Sequence, residues 1–201
     1  MLTGSGKFFS FGFDIPEFLS YSREEFTDYL RAFTALCTEL FVFPKPLVGA
    51  INGHAIAGGC MLALGCDVRV MTPGPARISL NEIGFGSSVF GGSVEMLKFA
   101  VGEARATEVL YSGAMYSADA ASALGLIHEV VDEAGLSSRA DEIALTLAGK
   151  DSRAFASIKL LLRRPVAEEI ARREMPSIEE FVDIWYSEPT WSNLRGITIR
   201  G

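Results

Sequence analysis

Short apolar runs alternate with helical periodicities through the first two thirds of this 201-residue chain, and helical patterns alone fill the last third. Leu47–Ile51 is long enough for a buried strand and ends in the turn signal Asn52-Gly53. Asp67–Met71, Arg77–Leu80 and Ile127–Val131 are further strand-like runs. Between them, residues 23–41 place Phe26, Leu30, Phe33, Leu36 and Leu40 on one helical face, with Pro44 and Pro46 as a stop. Residues 56–66 read as a helix with glycines at its mouth. A glycine-rich stretch over 84–92 precedes a helix at 93–99, and helices follow near 103–112 and 118–124, the latter with Ser117 as N-cap. From Ala134 the chain reads as four helical segments, 134–148, 153–163, 166–173 and 178–186, interrupted at Pro165 and Pro176. The fold class is therefore α/β with a helical C-terminal region, divided as 1–133 and 134–201.

Composition narrows the function classes. The formal net charge is -7, and an acidic surface argues against general nucleic-acid binding, which needs clustered Lys and Arg. The start, MLTGSGKFFS, has no basic region followed by an apolar run, so no secretory signal is expected. Apolar stretches are broken by Gly, Asp or Pro, so no membrane span is expected. Three cysteines at no metal-ligand spacing point to reduced thiols in a cytosolic or organellar compartment and to no metal site.

Two glycine-rich places carry the chemical interest: Phe11-Gly12-Phe13-Asp14, after a strand and turn, and Ala57-Gly58-Gly59-Cys60, at a helix mouth. Glycine permits close backbone approach. A helix N-terminus offers free N–H groups and partial positive charge. Two such donors converging would make an oxyanion hole. Glycines also serve turns and tight helix–strand packing, and each motif alone fits that role.

In this order the motifs resemble the crotonase (enoyl-CoA hydratase/isomerase) superfamily. LTGSGKFFSFGFDI is similar to its L-T-G-x-G-x-x-F-x-x-G-x-D segment, and KPLVGAINGHAIAGGCMLALGCDVRV to its K-P…N-G…G-G-G…C-D segment. LNEIGFG falls at the family's second acidic position, and YSGAMYSADAASALGLIHEVV is similar to its G…A-x-x-A…G-L-V segment. The resemblance implies a spiral of ββα units with a helical trimerisation region. It also implies that the chain begins inside the fold, since the family has strands and a helix before L-T-G. The ligand implied is an acyl-CoA thioester, with no separate cofactor. The oxyanion-hole donors carried over are the Phe13 and Gly58 N–H groups, with Phe11, Gly12, Asp14, Ile15 and Gly59 as further substrate-binding positions. A homotrimer or pair of trimers is implied, which agrees with an apolar tail (Ile170, Ile178, Phe181, Val182, Ile184, Trp185, Trp191) that one small domain is not expected to bury. The compartment implied is cytoplasmic in a bacterium, mitochondrial or peroxisomal in a eukaryote.

Hydratases of the family use two glutamates on one water. Here the first position is Met61 and the second is Glu82. A single acid resembles the Δ3,Δ2-enoyl-CoA isomerases, whose chemistry needs one proton carrier and no held water. The dienoyl-CoA isomerase branch adds an Asp in the loop that follows, and residues 84–92 contain none. Other crotonase reactions, hydration among them, and a non-catalytic acyl-CoA-binding or oligomer-forming paralogue remain open alternatives. Asp14, Asp67, His54, Cys60 and Cys66 read as structural or packing residues.

Overall fold

The structure, a computed structural model, describes residues 1–197. Seven short strands form two parallel sheets: β1 (Leu2–Thr3), β3 (Val48–Ile51), β5 (Val68–Met71) and β7 (Glu129–Val130) in one, β2 (Phe8–Ser10), β4 (His54–Ile56) and β6 (Ile78–Ser79) in the other. Each strand is followed by one that joins the opposite sheet. The chain therefore climbs as a coil, laying one strand per sheet in each turn: the crotonase spiral. β3 is buried at all four positions, as expected of a parallel strand covered on both faces. Asn52 ties two turns of the coil together. Its Oδ1 accepts from Gly4 N (2.9 Å), and its Nδ2 donates to Gly6 O (3.0 Å).

The helices cover this coil. α1 (Ile15–Phe18) is one turn. α2 (Arg23–Val42) starts in a capping box, with Ser22 Oγ accepting from Glu25 N and Glu25 Oε2 accepting from Ser22 N. α3 (Gly58–Gly65) is apolar all round and nearly wholly buried, as a helix threaded between sheet and helices must be. α4 (Gly91–Val101), α5 (Glu103–Ser112) and α6 (Ala118–Leu124) follow, and Ser117 caps α6 as expected, accepting from Ala120 N. α7 (Leu136–Ala148) lies on the β3 side of the first sheet. α8 (Ser152–Trp185) crosses both α2 and α4, and α9 (Glu188–Arg195) follows it.

Two expectations change. The interruptions at Pro165 and Pro176 do not occur, and α8 runs unbroken through both. Each proline withholds one N–H from the carbonyl four residues back. Those residues, Leu161 and Arg172, are exposed, so water can take the place of the lost donor. The helix expected from Ile56 begins two residues later, because His54–Ile56 is strand β4. The apolar tail also behaves differently. Ile170, Ile178, Phe181, Val182 and Trp185 are buried inside this one chain. Apolar side chains that do stay exposed include Ile158, Leu161 and Leu162, earlier on α8, and Leu145 of α7.

Candidate active site

The two glycine segments meet. Gly12 has φ +87°, a left-handed conformation that side chains disfavour. A β-carbon there would lie 2.9 Å from Ile56 O and 3.1 Å from Gly58 N. At Gly59 a β-carbon would lie 2.0 Å from Ser10 O, so only glycine lets α3 pack its first turn on β2. The result is a loop (Phe11–Asp14) pressed against the N-terminus of α3. Among the described residues neither the Phe13 nor the Gly58 N–H donates to a protein acceptor. The first intrahelical bond of α3 runs from Met61 N to Ala57 O, which leaves the Gly58 N–H as an orphan donor at the positive end of the helix.

Beside them is a cavity of about 400 Å³. Phe11, Phe13 and Ile15 line it from one loop, Ile56, Ala57 and Gly58 from the β4–α3 junction. Asn81, Glu82, Gly84 and Phe85 line it from the turn after β6, and Phe90, Phe181 and Trp185 from the α4–α8 side, with Ile197 and Met115 near its rim. The far wall is aromatic: Phe90 and Phe181 ring centroids lie 4.4 Å apart, and Trp185 stacks on Phe181 at 5.8 Å. Of the residues singled out from sequence, Phe11, Phe13, Ile15, Gly58 and Glu82 line this one space. Gly12 and Gly59 stand behind it as close-approach points. Asp14 is turned to the N-cap of α1, accepting from Glu17 N at 3.4 Å.

Glu82 opens a 3-10 turn, Glu82–Phe85, and is buried, with Oε2 lacking any hydrogen-bond partner among the described residues. Burial in these apolar surroundings pushes its carboxyl up to about 7. No arginine or lysine contributes to that shift. Met61 is also buried, but it does not line the cavity and takes a hydrogen bond from Ser93 Oγ at 2.9 Å. Cys60 beside it has its thiol pushed above the usual range by burial. The remaining acidic motif residue, Asp67, lies elsewhere, bonded to Leu47 N, Lys159 and Arg163.

Sequence reasoning missed Asn81, Met115 and Ile197, and read Phe181 and Trp185 only as part of an apolar tail, not as walls of the site. Helical periodicity shows which residues share a face but not whether that face meets a cavity or a neighbour. Asn81 had a signal in its place next to Glu82. Its Oδ1 is buried without a partner.

The profile of the enoyl-CoA hydratase/isomerase family matches residues 1–183. The chain is 34% identical over 164 residues to a probable enoyl-CoA hydratase of Bacillus subtilis, covering 81% of this chain and 63% of that protein. It is 29% identical over 174 residues to the mouse mitochondrial enoyl-CoA delta isomerase 1, covering 86% and 60%. In three dimensions it is similar to human mitochondrial Δ3,Δ2-enoyl-CoA isomerase, with a TM-score of 0.90, 26% identity, and 96% of this chain and 76% of that one covered. The chain belongs to the enoyl-CoA hydratase/isomerase family, within the crotonase superfamily. It spans 52% to 66% of the length of the first curated relatives it matches.

Proposed function

We propose that this protein is an acyl-CoA enzyme that moves the double bond of a 3-enoyl-CoA to the 2-position, with Glu82 as the sole proton carrier. The observation that carries this reading is one buried carboxyl, its Oε2 without a hydrogen-bond partner among the described residues, in an apolar cavity that Met61, at the family's other acidic position, does not line. The thioester carbonyl would sit between the Phe13 and Gly58 N–H groups. Ionised Glu82 removes a proton from C2, and the C2–H electrons flow into the thioester carbonyl as a dienolate. The oxyanion takes both N–H bonds, and the carboxylic acid just formed returns the proton to C4. Each N–H bond to the oxyanion contributes about 3 kcal/mol to lowering the barrier. The aromatic wall excludes water and takes the acyl chain. A carboxyl raised toward neutrality is suited to both halves of the transfer.

A second reading, hydration of a 2-enoyl-CoA, is favoured by the hydratase relatives, which are at least as similar in sequence as the isomerase ones. Parallel assays on a 3-enoyl-CoA and a 2-enoyl-CoA decide between them. Isomerisation without hydration, lost in Glu82→Gln, supports the first. Efficient hydration, or full isomerase activity in Glu82→Gln, refutes it.

A further inference from the structure

We infer that α9 is a clamp on the turn that carries Glu82, with Thr190 as the positioning residue and Asn193 as a weaker second hold. This rests on the reading of Glu82 as the proton carrier.

The turn has little to hold itself in place. It is a single 3-10 turn closed by Gly84 N to Asn81 O (2.9 Å), Gly86 N to Ile83 O (3.1 Å) and Ser87 N to Glu82 O (3.0 Å). The hydrogen-bond geometry of such a turn is poorer than that of an α-helix. Ile83 beside Glu82 is half exposed. Among the described residues Oε2 of Glu82 has no partner, and the carboxyl takes a hydrogen bond from the backbone of Glu82 itself. Its direction therefore depends on where the backbone of the turn is held.

That hold comes from the far end of the chain. Thr190 Oγ1 donates to Gly86 O at 2.7 Å, and Asn193 Nδ2 donates to Phe85 O at 3.1 Å. These are carbonyls at the C-terminal end of the turn, which a short helix leaves without internal donors. Thr190 is 2% exposed, so its bond is shielded from water, while Asn193 is exposed. α9 is itself anchored independently of the turn. Leu194 is fully buried, Trp191 stacks on Tyr186 at 5.0 Å, and the Tyr186 hydroxyl donates to Tyr21 O at 2.7 Å. The two hydrogen bonds thus tie the turn to an anchored helix. A proton carrier that must serve C2 and C4 in turn tolerates little displacement, since an ångström of misplacement can cost about 10²-fold in rate. The Cys60 thiol of α3 feels Glu82 across the packing.

The test compares Thr190→Val, which keeps the shape and removes the donor, with Thr190→Ser, which keeps the donor, and with Asn193→Ala. Two readouts are needed: kcat and KM for a 3-enoyl-CoA, and the Glu82 carboxyl titration followed by carbon-13 NMR. Thr190→Val is expected to lower kcat by roughly tenfold or more with little change in KM. Its Glu82 midpoint should fall toward the ordinary carboxylate range as water reaches the loosened turn. Thr190→Ser should retain parental values, and Asn193→Ala should fall between. Parental kcat and parental Glu82 titration in Thr190→Val overturn the clamp, as does a loss confined to KM or an equal loss in Thr190→Ser. If Thr190→Val does not fold, Asn193→Ala carries the test, and an unchanged Glu82 titration there overturns the inference. Glu82→Gln keeps the two ideas apart. Full activity in it refutes Glu82 as proton carrier, while the NMR titration still reports on the clamp.

Discussion

Glu82 and Asp67 are both carboxylates of the spiral core, and their surroundings are opposite. Asp67, at the α3–β5 corner, accepts from Leu47 N at 2.7 Å and pairs with Lys159 at 2.8 Å and Arg163 at 3.1 Å. Arg163 in turn donates to Phe41 O and Gly65 O and lies over the Phe41 ring at 4.3 Å. Every charge in that cluster has a partner, and the cluster pins α8 to α2 and α3. Glu82 faces a cavity, and among the described residues its Oε2 has no partner. A satisfied buried carboxylate holds elements together, whereas an unsatisfied one is held by the fold at a cost in stability. The difference separates structure from chemistry more clearly than residue type does.

The contrast breaks first at activity. Glu82→Gln should lower isomerisation of a 3-enoyl-CoA by about 10²–10⁴-fold while CoA-ester binding is retained, measured by steady-state kinetics and calorimetry. The parental rate should fall on the acid side with a midpoint near 7, because the ionised carboxyl is the base. A rate that is flat from pH 5 to 8 would remove Glu82 from the first step. Asp67→Ala should instead act on the fold. It strands the buried Lys159 and Arg163 charges and should cost on the order of 3–5 kcal/mol in denaturant unfolding. A loss below about 1 kcal/mol would mean the cluster behaves like a surface pair.

How each carboxylate appears in the sequence follows the same division. Glu82 and the two glycine segments are legible because chemistry and close backbone approach restrict residue choice locally: Gly12 and Gly59 have no room for a β-carbon. The spiral of ββα units was implied by the family motifs, whereas the order of the strands within each sheet was not read from the sequence and β4 was partly taken into the following helix. The wall opposite Glu82 was not legible. Phe181 and Trp185 lie about a hundred residues away on a helix whose apolar face looks the same whether it meets a cavity, a core or another subunit. The continuity of α8 through two prolines was missed for a related reason. Whether a lost hydrogen bond matters depends on exposure of the carbonyl, which a one-dimensional pattern does not contain. The hold of Thr190 on Gly86 spans 104 positions and leaves no local mark at either end.

The comparison sharpens in the pH dependence of stability. Glu82 is raised from 4.5 to about 7 in the folded chain. The folded state therefore holds a proton that the unfolded state has lost between those values. Stability from this group is full below about pH 4.5, declines as pH rises, and is gone above about 7. Glu82→Gln removes the penalty of a buried charge. It should be more stable than the parent by on the order of 3 kcal/mol at pH 8, with the gain vanishing near pH 4.5. Denaturant titrations of both proteins at the two pH values check this. A gain that is the same at both would show that the effect is not ionisation.

The smallest effect concerns the first residue of the second glycine motif. Ala57 is the one non-glycine residue with positive φ among the described residues, at φ 51° and ψ -116°. This conformation is costly for any residue with a β-carbon. It is held there from both sides: Ala57 N donates to Ser79 O at 2.8 Å, and Ala57 O accepts from Met61 N at 3.1 Å. The family resemblance puts a glycine at this position, and the backbone angle supplies the reason. Ala57→Gly relieves strain of about 1–3 kcal/mol but gives the unfolded chain more freedom, which takes back roughly 0.4–1 kcal/mol. The net expectation is a gain of about 1 kcal/mol, or roughly 2–4 °C in Tm for a chain of this length. Because Gly58 rather than residue 57 supplies the proposed donor, kcat should stay within about twofold of the parent. Scanning calorimetry and kinetics on the same sample separate the two statements. A lower Tm would show that the strain at Ala57 is not what the angle implies, and a large change in kcat would show that this residue also aims the Gly58 N–H.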